Sequence, residues 1–283
     1  MIDFWQVNLI FSIIFGIIFF QCYKLAVAKA KNDGAATIII QGIAGLSMIL
    51  LIPFFRIYFP EDPKVFLFLA LACVFYAVSD RLQTTIRKHM DVSAYSILSQ
   101  LSNVFLILFG FLFLKESVVL AKVIGATLII GGNVLMQYRG KKLVIDRYLL
   151  LAVLAAASLA TALSIDIGNS KNMTLPIYIS ITFLIPALII LISERIPLRV
   201  VKQEIQHLNL KYTLITGFSW SATIYFILRA YQTGSVSTIV PLQATAVLWN
   251  VIVAFIIFKE RSNILQKLLA ACLVVAGVIV TIL

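Results

Sequence analysis

The chain has 283 residues, of which 61% are hydrophobic and only 12% charged, at a mean hydropathy of +1.03. Soluble domains run near half apolar and about a quarter charged, so an ordinary soluble protein is excluded. The formal charge of +11 would raise nucleic acid as a partner in a soluble chain, but here the Lys and Arg residues stand mainly between apolar runs, where they read as topology signals and leave nucleic acid out.

At about 20 residues per membrane-crossing helix, apolar stretches bounded by charge, Pro or Gly predict ten spans in chain order: residues 5–23, 37–58, 65–85, 93–114, 118–138, 148–167, 175–192, 212–231, 237–258 and 264–283. The runs are continuously apolar where a membrane barrel would alternate, so the predicted class is an all-α integral membrane protein with ten transmembrane helices. Ala26-Val27-Ala28 imitates a signal-peptidase site, yet no positive segment precedes the run and basic residues follow it. The first stretch is therefore read as a retained span. Connections are short except at 193–211, whose mixture of charge with Ile, Leu and Val predicts a short surface helix.

Cys22, Cys73 and Cys272 lie singly in apolar runs, and His89 and His207 fall in predicted loops. Neither a disulfide framework nor a metal site is expected from such spacing. With no glycine-rich phosphate loop in the chain, no cofactor is expected either.

An internal repeat organises the sequence. The fifth stretch follows Lys115-Glu116 and continues Leu120, Lys122, Gly125, Ala126, Leu128, Ile129, Gly132; the tenth follows Lys259-Glu260 and continues Leu265, Lys267, Ala270, Ala271, Leu273, Val274, Gly277. The offset is 144 at the Lys-Glu pair and 145 beyond it, and Val92-Ser93 recurs as Val236-Ser237 at 144. Residues 1–142 and 143–283 thus each hold five predicted spans. An odd number per copy obliges the copies to lie in opposite orientations, as in many secondary transporters. The two halves are expected to superpose with Glu116 on Glu260 and Gly132 on Gly277.

At these residues the chain resembles the EamA-like branch of the drug/metabolite transporter superfamily, whose repeats close with a pattern like Leu-x-Glu, a few residues, Gly-x-x-Leu-Ile-x-x-Gly. Here it reads Leu114-Lys115-Glu116 through Gly125, Leu128 and Gly132, and the second copy departs from it with Ala270 at the first glycine. The resemblance implies two inverted five-helix EamA-like repeats. It also implies that the third, fourth, eighth and ninth helices, with the first and sixth, surround a substrate path while the fifth and tenth pack outside. It leaves the substrate open, since the family is known for amino acids, nucleotide sugars, cations and drugs alike. The Lys-Glu pair itself reads as a complement to two helix dipoles across a tight turn.

Lys24, Asp80, Arg81, Asp166 and Arg229 are the charges predicted within spans, where insertion scales put the cost at about 2.5–3.5 kcal/mol or more. All lie near span ends, so each either snorkels to an interface or faces an internal cavity. The third span carries Tyr76, Asp80 and Thr84 on one face, and the eighth carries Gly217, Ser221, Tyr225 and Arg229 in matching register. The fourth adds Ser96, Ser99, Gln100 and Asn103, and the ninth adds Gln243 and Asn250. Singly these residues read as interhelical glue; together they predict a solvated central cavity. The candidate substrate-binding or cavity-lining set is Tyr76, Asp80, Tyr95, Ser99, Gln100, Asn103, Asp166, Trp220, Tyr225, Arg229, Gln243, Trp249 and Asn250, with no catalytic residue. Its aromatic members either stack on a ring or cation or serve as packing and interfacial anchors.

The function expected is a secondary transporter in a bacterial inner or plasma membrane, moving a small polar or amphipathic metabolite by alternating access. Its partners would be that small-molecule substrate, membrane lipid and a coupling proton or cation, with Asp80 and Asp166 the carboxylates deep enough to carry a proton. One alternative is a flippase or accessory subunit for a lipid-linked sugar, which needs a groove open sideways to lipid. Another is an integral-membrane enzyme, for which Asp80 lacks a second carboxylate within a helical turn of its span. Assigning the 23 Lys and Arg residues to alternate sides puts 17 on one and 6 on the other. The positive-inside rule then places both termini outside the cytoplasm, whereas proteins of the family it resembles more often have both inside.

Overall fold

The computed structural model describes residues 4–113, 120–139, 142–143, 146–234, 239, 242–259 and 263–281. They form α1 (Trp5–Val27), α2 (Asp33–Ile49), α3 (Pro63–His89), α4 (Val92–Leu98), α5 (Leu101–Phe113), α6 (Leu120–Gln137), α7 (Arg147–Asn169), α8 (Leu175–Ser193), α9 (Leu198–Glu204), α10 (Leu210–Thr233), α11 (Ala246–Phe258) and α12 (Ile264–Val280). One antiparallel pair of two-residue strands, Tyr138–Arg139 with Lys142–Leu143, follows α6. Among the described residues five segments are long and apolar enough to cross a membrane: Trp5–Val27, Asp33–Phe54, Pro63–His89, Arg147–Asp166 and Leu175–Ser193. Leu120–Met136, Leu242–Phe258 and Ile264–Val280 are shorter apolar helices.

Short polar side chains start the helices by accepting from otherwise unpaired backbone N–H groups: Asn32 from Ala35, Asp62 from Lys64, Asp146 from Leu149 and Asn209 from Tyr212. The second predicted stretch, 37–58, begins and ends early as a helix. After Ile49 the chain makes a 3-10 turn at Ile52–Phe54, where Pro53, lacking an N–H, cannot extend the α-helical ladder. The third stretch runs longer than 65–85. Arg87, Lys88 and His89 form the last turn of α3, where cations complement the helix dipole, so His89 is helical and not in a loop. The fourth and ninth stretches are interrupted, at Ser99–Gln100 and at Thr245. In the 193–211 connection, α9 brings Glu204 to the turn between α1 and α2, where its carboxylate accepts from Lys31 N (2.7 Å) and Asn32 N (3.1 Å). Glu116 and Glu260 lie outside the described residues.

Polarity is arranged inside out relative to a soluble protein. Phe66, Leu67, Leu71 and Val74 on α3, Leu150 and Leu154 on α7 and Leu214 and Phe218 on α10 are exposed, while Gln41, Asp80, Arg87 and Asp166 are buried. Apolar surface on this scale needs a lipid solvent. Ion pairs gather at the ends of helices, with Lys88 on Asp33 (3.0 Å), Arg81 on Glu194 (2.5 Å) and Lys267 on Asp91 (2.9 Å).

The helices pack chiefly as pairs, α1 along α10, α7 along α3, α2 against α8 and α6 against α12. The last pair touches backbone to backbone. A Cβ on Gly277 would fall on the Gly125 carbonyl oxygen and the Ile129 backbone, and one on Gly132 would meet the Ala270 carbonyl oxygen and Val274. Small residues at these points let the helices approach as close as dispersion attraction allows, which drives association in lipid. Gly277→Ala is therefore expected to destabilise the purified protein in detergent by about 1–3 kcal/mol through overpacking. Gly131→Ala, which meets nothing within 4 Å, should be neutral or stabilising by up to about 1 kcal/mol. Equal thermal unfolding of the two variants would mean that α6 and α12 are not in backbone contact.

Candidate functional site

Tyr76, Asp80, Gln83 and Arg87 recur on α3 at spacings of four, three and four, which stacks them on one face of the helix. That face borders a cavity of about 310 Å³ enclosed by α1, α3, α4, α5, α7, α8, α10 and α11, a volume suited to a small molecule. Among the described residues α2, α6, α9 and α12 contribute none of its lining. Trp220 forms part of the apolar wall, stacked on Phe19 (5.1 Å between centroids) and edge-on to Phe183 (4.9 Å).

The three buried charges that border the cavity, Asp80, Asp166 and Arg87, are held in different ways. Asp80, 2% exposed, accepts from Gln41 Nε2 (2.8 Å) and Gln83 Nε2 (3.4 Å). Asp166, also 2% exposed, accepts from the Tyr76 hydroxyl (2.6 Å) and the Tyr178 hydroxyl (2.5 Å). Arg87, 3% exposed, donates from Nε (2.9 Å) and Nη2 (2.7 Å) to the single oxygen Gln83 Oε1. Its guanidinium sits among the rings of Phe20 (4.0 Å), Tyr95 (4.6 Å), Phe19 (4.7 Å) and Tyr23 (4.8 Å). Asp80 and Arg87 are thus linked through Gln83 and not by a direct ion pair.

Where α4 gives way to α5, the hydroxyls of Ser96, Ser99 and Ser102 each donate to the carbonyl three residues earlier, at 2.8 Å. The Thr245 hydroxyl does the same for Leu242 (2.6 Å) before α11. These hydroxyls add to the backbone bonding around each interruption, where Ser99 O also accepts from Ser102 N and Leu242 O from Thr245 N, both at 3.2 Å.

Of the residues singled out from the sequence, Tyr76, Asp80, Tyr95, Ser99, Gln100, Asn103, Asp166, Trp220, Gln243 and Asn250 all border this cavity. Tyr225, Arg229 and Trp249 do not. Tyr225 packs edge-on to Phe55 and Phe226, half-buried Arg229 donates from Nη1 to Gln232 Oε1 (3.3 Å), and Trp249 is 53% exposed on the outer face of α11. For Tyr225 and Arg229 the reason lies in how α10 is turned. Gly217 faces Ile40 and Ile43 of α2, and the Ser221 hydroxyl bonds that of Ser47 (2.7 Å). The stripe chosen from sequence therefore meets α2, and Trp220, Thr223, Ile224 and Ile227 face the cavity instead. Lys24 and Arg81 also lie off the cavity, on the Met90 carbonyl (2.9 Å) and on Glu194. Arg87 is the cavity residue that sequence reasoning passed over as a topology charge; its spacing from Asp80 and Gln83 was the available signal. No group of His, Cys, Asp and Glu suited to a metal occurs among the described residues.

Residues 6–138 match the model of the EamA-like transporter family. No curated protein matches the chain. Among solved structures 23 chains match, and one crystal structure superposes with a TM-score of 0.61 at 16% identity, over 95% of this chain and 95% of its own, a likeness of fold.

The two phenols on Asp166 set a measurable expectation. A hydrogen bond to a charged group contributes about 1.5–3 kcal/mol, so Tyr178→Phe is expected to lower thermal stability by that order in the wild type and by much less in an Asp166→Asn background. An undiminished loss in the double variant would show that the hydroxyl serves something other than the carboxylate.

Proposed function

We propose, from the match of residues 6–138 to the EamA-like transporter family of the drug/metabolite transporter superfamily, that the chain is a secondary transporter that moves a small polar or amphipathic metabolite by alternating access. One observation carries this reading. Polar side chains from both halves of the chain, among them Asp80, Gln100 and Asn103 and then Asp166, Gln243 and Asn250, converge on a single cavity inside a bundle whose outer surface is apolar.

In this reading ten helices cross the membrane, with α4 and α5 counted as one and α11 joined to the residues before it. Residues 1–142 and 143–283 are then inverted five-helix repeats. Helix neighbours support the arrangement: α1 on α10 has its counterpart in α7 on α3, and α2 on α10 in α8 on α3. Equivalent helices pair with each other in α2 with α8 and α6 with α12. A two-fold axis near the membrane plane generates such a pattern. The interruptions at Gln100 and Thr245 correspond at an offset of 145. The metabolite would meet Tyr95, Ser99, Gln100, Asn103, Gln243 and Asn250, and the drive is an ion gradient, exchange or the substrate's own gradient, with Asp80 and Asp166 as candidate proton carriers. The setting is a bacterial inner or plasma membrane.

Alternating access is testable without a known substrate. In a background with Cys22, Cys73 and Cys272 replaced, Ser99→Cys is expected to react with a membrane-impermeant maleimide in both right-side-out and inside-out vesicles. Reaction from one side alone would contradict it. The charge bias gives a separate expectation: a C-terminal reporter should be active outside the cytoplasm, and activity only inside would reverse the orientation.

A further inference from the structure

We propose that the central cavity takes an organic oxyanion, a carboxylate or phosphate on an apolar body, with its anionic head on Arg87. This rests on the transporter reading of the same cavity and adds the class of cargo. Arg87 borders the cavity, and a guanidinium keeps its charge in proteins. Burying such a charge without a counter-ion costs several kcal/mol, and ionisable groups at membrane depth mark substrate and ion paths.

The hydrogen-bond inventory shows which charge is open. Asp80 is engaged by Gln41 and Gln83, and Asp166 by Tyr76 and Tyr178. Arg87 has five N–H donors, of which two go to one oxygen of Gln83. Ring faces surround it, Asp80 is near enough to interact with it electrostatically, and among the described residues no carboxylate lies within ion-pair distance. Rings offset part of the desolvation cost and hold the guanidinium plane, but among the described residues no acceptor takes its remaining donors, and Arg87 borders the cavity. A planar fork with parallel donors is what a carboxylate or phosphate accepts bidentately. A cationic cargo would instead face that positive charge with both carboxylates already occupied. The body of the cargo would lie against Trp220, Phe183 and Ile224, which are apolar.

The test is thermal unfolding of the whole purified protein in phosphatidylcholine nanodiscs, with phenylacetate, phenyl phosphate, phenylacetamide or phenethylammonium at about 10 mM, since a ligand of the folded state raises its apparent stability. At least one of the two anions is expected to raise the Tm, and the amide and the ammonium to leave it unchanged. Arg87→Gln should weaken the anion about 10- to 100-fold, the loss of a charge-assisted bond, whereas Arg229→Gln, away from the cavity, should retain it. If neither anion shifts the Tm, if the amide or ammonium shifts it equally, or if folded Arg87→Gln binds as the wild type does, the assignment falls. Should Arg87→Gln fail to fold, the charge series on the wild type still decides. Adding phosphatidylglycerol separates sources: displacement of the anion assigns the oxyanion to a lipid headgroup, and no displacement assigns it to a soluble metabolite. Two-sided labelling of Ser99→Cys together with binding of the amide would leave the transporter reading standing and the anion assignment overturned.

Discussion

Hydrocarbon accepts and donates no hydrogen bonds, so polar groups that this chain carries into the membrane are favoured where they meet partners within the protein or line its cavity. That constraint explains why the interior is polar in clusters and not scattered. Tyr76 and Tyr178 close on Asp166, Gln41 and Gln83 on Asp80, and Tyr23, Thr84 and Thr37 form a hydroxyl chain at 2.8 and 2.6 Å. The groups come from different helices, so each cluster also fixes which helices are neighbours. Between the clusters, apolar packing such as Phe19 on Trp220 sets the width of the cavity.

The same constraint divides the work among the helices. α6 and α12 approach backbone to backbone through glycines and contribute nothing to the cavity lining among the described residues. The helices around the cavity carry larger and more polar side chains on their inner faces, and these stand apart enough to leave about 310 Å³ between them. Close packing and open space are thus encoded by residue size at matching depths.

Apolar runs were legible because transfer into lipid is dominated by side-chain hydropathy, which a window of about 20 residues captures. Asp80 and Asp166 were legible because a carboxylate at depth has few bland explanations. Helix rotation was not. The Gly217 and Ser221 stripe on α10 is small and polar, and sequence alone cannot tell that it packs on Ile43 and Ser47 of α2 and not on the cavity. Trp249 failed for the same reason, since it sits beside Asn250 in sequence and about 100° away around the helix. Arg87 was hidden by its neighbours: next to Lys88 and His89 it looks like the basic flank of a span, yet α3 continues through all three, and the cage of Phe19, Phe20, Tyr23 and Tyr95 draws its side chain inward.

The serine hydroxyls along α4 and α5 reach further than local satisfaction. A helix ordinarily resists bending because each degree of bend strains the bonds of the next turn. At Ser96, Ser99 and Ser102, and again at Thr245, side-chain hydroxyls bond carbonyls three residues earlier, two of which also keep a backbone N–H partner. The cavity wall therefore has two interruptions, one in each half of the chain, set against the close-packed pair of α6 and α12. Side-chain hydroxyls thus accompany both breaks in the cavity wall, whereas the frame of α6 and α12 has no such break among the described residues.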